Sequence, residues 1–105
     1  MLKPDAAVVV RLGEYEDRWF IEMDLGTESA PTLARKCELY RRYWQSGTEQ
    51  ARNDVFPRVL WVVQDPRRYE VMAGVLGRLP AEARHVYDVA LSADAVREIA
   101  TGAAT

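Results

Sequence analysis

The chain has 105 residues, of which 49% are hydrophobic and 29% charged, and its formal net charge is −2. That length builds one hydrophobic core and not two, so a single domain is expected over residues 1–105. The slight acidity excludes a chain that coats nucleic acid through overall positive charge, and any DNA contact must be local.

No stretch approaches the roughly 20 apolar residues of a membrane span, and Met1-Leu2-Lys3-Pro4-Asp5 lacks the apolar run of a signal peptide. The expectation is a cytoplasmic protein with no membrane partner. The one cysteine, Cys37, reads as a buried packing residue.

In chain order, Ala6 to Leu12 and Arg18 to Met23 are rich in β-branched, aromatic and aliphatic residues and read as strands. The polar Gly13 to Asp17 between them predicts an antiparallel hairpin. Asp5 and Asp24 then fall at the same end of that hairpin, on strands about 4.8 Å apart. Glu22 and Asp24, two residues apart, share a face.

From Glu28 to about Ser46 the spacing is helical, with Leu33, Cys37, Tyr40 and Trp44 on one side and Lys36 at its border. Thr27 or Ser29 supplies a cap, Pro31 suits a first turn, and Gly47 follows the end. Thr48 to Asp54 is polar and reads as a loop. Pro57 to Gln64 is a near-continuous apolar run, as in a central strand covered on both faces. Asp65-Pro66 starts a second helix to about Leu79, buried through Tyr69, Met72, Val75, Leu76 and Leu79. His85 to Leu91 reads as a last strand and Ala93 to Ala100 as a terminal helix with a frayed tail. The order predicts an α/β fold: a mixed sheet with an N-terminal antiparallel hairpin and flanking helices. Glycines at 13, 26, 47, 74, 77 and 102 fit neither a dinucleotide fingerprint nor a P-loop.

Asp5, Glu22 and Asp24 at strand ends, with Lys36 on the next helix, are the residue types that divalent-metal phosphodiester hydrolysis needs. Each also has a structural reading: Asp5 as a turn residue after proline, Asp24 as part of the Asp-Leu-Gly-Thr strand-to-helix turn, and Lys36 as a salt-bridge partner of Asp24 or Glu22. Glu22 is harder to assign to structure, since an acid in a half-buried aromatic strand needs a partner or a function. Glu28 reads as a helix-start charge, His85 as structural, and Trp19, Trp44 and Trp61 as core or interface residues. Candidate phosphate contacts are Arg35, Lys36, Arg41, Arg42, Arg67 and Arg68, and their bland alternative is a solvated helix face.

Pro4-Asp5 before a strand, and Glu22-Met23-Asp24 ending the next strand ahead of a helix, resemble the core of the PD-(D/E)XK nuclease superfamily. The strings Leu2 to Ala6, Phe20 to Glu28, Lys36 with Tyr40, and Phe56 to Leu60 resemble the replication-relaxation family, associated with replication and DNA relaxation of plasmids and other mobile elements. The resemblance implies a restriction-endonuclease-like core, N-terminally shortened. It implies Asp5 and Glu22 as ligands of Mg²⁺ or Mn²⁺, and DNA as partner; in the nuclease reading Asp24 joins them as a catalytic and metal-binding acid, assisting or binding a second ion, and Lys36 stabilises the phosphate. Asp24 stands where the superfamily motif has lysine, and Lys36 would supply that cation from the helix. An exposed first strand would favour pairing across a homodimer. The alternative is a noncatalytic relative acting as a DNA-binding or protein-interaction module.

Overall fold

A computed structural model describes residues 3–53 and 56–104; Met1, Leu2 and Asp54, named above, lie outside them. Strand β1 (Ala6–Leu12) pairs antiparallel with β2 (Tyr15–Met23), in a register running from Ala6 opposite Ile21 to Leu12 opposite Tyr15. The expected five-residue connection shortens to Gly13-Glu14. Gly13 adopts φ 61°, which a tight turn requires, and Tyr15 to Asp17 extend the second strand.

Helix α1 (Ala30–Ser46) begins at Ser29, whose hydroxyl accepts from the Thr32 N–H at 3.4 Å, and closes at Gly47 with φ 73°. The segment read as a loop forms a short helix, α2 (Thr48–Asn53). Tertiary contacts outweigh its polar composition: Glu49 is buried and accepts from the Tyr43 hydroxyl, and Gln50 donates to the Trp44 carbonyl at 2.9 Å.

Strand β3 (Arg58–Val63) runs parallel to both β2 and β4 (Tyr87–Leu91), giving the sheet order β1-β2-β3-β4. Val59 to Val63 are all buried, as the unbroken apolar run predicts. Helix α3 (Pro66–Gly77), capped by Asp65, connects them, and a 3₁₀ segment (Ala81–Val86) follows. That segment takes up His85 and Val86, which the sequence assigned to the last strand. Ser92–Asp94 form a tight turn, so the terminal helix α4 starts at Ala95 and runs to Ala104, past the expected Ala100.

Side chains alternate between the two faces of the sheet. Phe20, Val59, Trp61 and Val63 pack with Leu33, Cys37 and Tyr40 of α1 and Met72 and Val75 of α3. Trp19, Ile21, Leu60, Val62 and Ala90 face the other way, against Ala95 and Ile99 of α4. Helices α1 and α3 therefore cover one face, and α4 lies on the opposite one. Strand β1 is one outer edge of the sheet.

Candidate functional site

One further step in the hairpin register sets Asp5 opposite Glu22, on the face that carries α1. Asp5 Oδ2 accepts from the Met23 N–H at 2.8 Å, which fastens the N-terminal end of β1 to the end of β2. Glu22, only 5% exposed, accepts at Oε1 from the Tyr40 hydroxyl at 2.5 Å. Burial pushes the Glu22 carboxyl above its usual range; the Tyr40 hydrogen bond opposes that rise and the adjacent Asp5 charge adds to it.

Lys36 and Tyr40 are one turn apart on α1 and so lie on one side of it. Lys36 Nζ donates to Glu28 Oε1 at 2.8 Å. That bond raises the lysine's pKa, with smaller contributions from the negative charges of Glu22 and Asp5. Asp5, Glu22 and Lys36 thus form one electrostatic neighbourhood, with Tyr40 holding Glu22 from above.

Asp24 has a different setting. It is fully buried, and Arg68 of α3 grips it with two hydrogen bonds, Nε to Oδ2 at 2.7 Å and Nη2 to Oδ1 at 2.8 Å. The Gly26 N–H donates to Oδ1 as well. The Arg68 bonds hold the Asp24 carboxyl below its usual range, ahead of the opposing effect of burial. Glu22 and Asp24 share a sheet face as expected, yet Glu22 turns to α1 and Asp24 to α3. Among the described residues no group of three or more His, Cys, Asp or Glu is arranged to hold a metal ion.

Of the cations singled out in the sequence, Arg68 is committed to Asp24, and Arg41 to Glu38 at 2.7 Å. Arg35, Lys36 and Arg42 line a shallow depression on α1 together with Thr32, Leu39 and the single acid Glu38. His85 stacks edge-on against Trp44, and Trp19 and Trp61 are in the core. The sequence reading missed Tyr40 as the partner of Glu22, Glu28 as the partner of Lys36, and Arg68 as the partner of Asp24. The first could have been found: the four-residue spacing of Lys36 and Tyr40 aims both at whatever lies under that side of the helix.

Asp5 and Glu22 offer oxygen donors only, the chemistry of a hard divalent cation. Asp5 and Glu22 are near enough for the charge of one to raise the pKa of the other, so they are the donors that would meet such an ion. No helix among the described residues is long and apolar enough to cross a membrane. A family model described as replication-relaxation matches residues 1–59. No curated protein and no solved structure matches the chain.

Proposed function

The chain belongs to the replication-relaxation family, and from that premise we propose that it is a metal-dependent, PD-(D/E)XK-like DNA-nicking domain serving the replication of plasmids or other mobile elements. The observation that carries this reading is the convergence of Asp5 and Glu22 on one sheet face beside Lys36. Asp24 is left out of the donor set, because Arg68 engages both of its oxygens.

In this reading Asp5 and Glu22 would hold Mg²⁺ or Mn²⁺, and the ion, when bound, would supply a more acidic water and offset charge on a phosphate. Tyr40 keeps Glu22 oriented while burial acts against its ionised form. Lys36 lends positive charge to the phosphate oxygens, and Arg35 and Arg42 extend that charge along α1 for the neighbouring backbone.

A noncatalytic DNA-binding or protein-interaction module is the second reading. It is favoured by the fact that each site residue already has a structural partner: Met23 for Asp5, Tyr40 for Glu22, Arg68 for Asp24 and Glu28 for Lys36.

Incubating supercoiled plasmid with the protein and Mg²⁺ or Mn²⁺ decides between them. Nicking by wild type that is lost in Asp5→Asn and Glu22→Gln, together with loss of Mn²⁺ binding by calorimetry, is the expected result. Folded wild type that neither nicks DNA nor binds Mn²⁺ selects the noncatalytic reading.

A further inference from the structure

We infer that the free edge of β1 joins the β1 strand of a second copy of this chain in an antiparallel pair, and that each copy thereby brings its Arg11 beside the other's Asp5. Three observations carry this. Among the described residues, strand β1 is an outer strand, bonded on one side only, to β2. It is seven residues long, contains the run Ala-Ala-Val-Val-Val and holds Arg11 as its one charged residue. Val9 is 39% exposed, on a strand type that ordinarily seeks a partner.

The backbone of β1 is already set for this pairing. The two-residue turn makes Leu12 and Tyr15 a hydrogen-bonded pair, so alternation by two directs Ala6, Val8 and Val10 to β2 as well. The N–H and C=O groups of Ala7, Val9 and Arg11 then point to the open edge.

Charge selects the register. An antiparallel pair centred on Val8 sets Ala7 against Val9 and Asp5 against Arg11 of the other copy, on both sides of the two-fold axis. Within one copy Arg11 already reaches Glu16, its cross-strand neighbour, at 3.0 Å, with the arginine side chain 70% exposed. The pair would extend that contact into a row across one continuous eight-stranded sheet: Glu16 and Arg11 of one copy, then Asp5 and Glu22 of the other. A shift of two residues in the register leaves Asp5 without a cation opposite it. With the axis perpendicular to the sheet, the two acidic pairs face the same side, about 20 Å apart, since Asp5 and Arg11 are separated by six residues of strand.

The proposal does not depend on nuclease activity, and its test does not use it. A single strand pairing buries less than the standard interface of roughly 1,600 Å², so a weak dimer is expected, with a Kd below about 1 mM. Sedimentation equilibrium of the full chain over a range of concentrations should show this monomer–dimer equilibrium. Val9→Pro removes an outward N–H and no bond to β2, so it should abolish the dimer and leave the circular dichroism spectrum unchanged. Arg11→Glu, which sets like charges against Asp5, should weaken the dimer at least tenfold in low salt. A chain that stays monomeric throughout that range overturns the proposal. So does a dimer indifferent to both substitutions.

Discussion

The phenolic hydroxyl of Tyr40 in α1 donates to Glu22 Oε1 in β2, closing a 2.5 Å hydrogen bond in a buried position between helix and sheet. Burial and Glu22 both push the tyrosine's own pKa up, so the phenol remains the donor throughout the neutral range.

Tyr40→Phe removes that donor and little volume. It should cost about 1–3 kcal/mol of stability, the usual range for a hydrogen bond to a charged or buried partner, measured by urea unfolding at neutral pH. Because the bond opposes the rise in the Glu22 pKa, its loss should raise that pKa further. If the acidic pair holds Mn²⁺ as proposed, its affinity should fall in Tyr40→Phe and should rise with pH in both proteins, since a proton on Glu22 competes with the cation. Calorimetric titrations at two pH values check both statements.

Asp24 and Arg68 set the acid limb of stability. The folded-state pKa of Asp24 lies below its unfolded value of about 3.9, so its contribution is present above that value and is lost as pH falls through the folded pKa. Asp24→Asn should flatten the dependence of unfolding free energy on pH below about 4. Arg68→Ala leaves a buried carboxylate uncompensated and should cost about 3–5 kcal/mol at pH 7. Thermal denaturation followed across pH reads both effects.

In the proposed reading Lys36 separates function from folding. Its pair with Glu28 is partly exposed, with side-chain exposures of 40% and 30%, so Lys36→Ala should change stability by less than about 1 kcal/mol. If the domain nicks DNA, the same variant should slow cleavage by about 100-fold, the scale of a lost charge-stabilising donor. Glu28→Gln should keep activity, because it frees the ammonium without removing it. Plasmid-nicking rates paired with melting temperatures test the separation.

Cys37 is fully buried, and burial pushes its thiol up to about 12. It should resist a disulfide exchange reagent at pH 8 in native protein and react at once in denaturant. The native labelling rate should therefore follow the opening of the α1 face, which makes this thiol a probe of the helix that carries Lys36 and Tyr40.

Much of the fold was legible because its signals are strong and local. The hairpin showed in two β-rich runs around Gly13, the buried central strand in Val59 to Val63, and the first helix in the spacing of Leu33, Cys37 and Tyr40. What escaped depends on contacts made at a distance. Glu49 and Gln50 fold Thr48–Asn53 as a helix through bonds to Tyr43 and Trp44, which its polar composition does not announce. At the site, the strand period correctly put Glu22 and Asp24 on one face, but it could not say that each would turn to a different helix. Arg68, 44 residues beyond Asp24, carries no local mark of that pairing.

The same arginine has a wider consequence. Besides gripping Asp24 it donates to the Glu28 carbonyl at 3.0 Å, so one guanidinium from α3 spans both ends of the segment that leads from β2 into α1. The acidic pair takes its position from the sheet, whereas Lys36 and Tyr40 take theirs from the helix. Arg68 is the bolt between those two frames: loosening it should let the cation drift relative to the carboxylates while every residue of the site is still present.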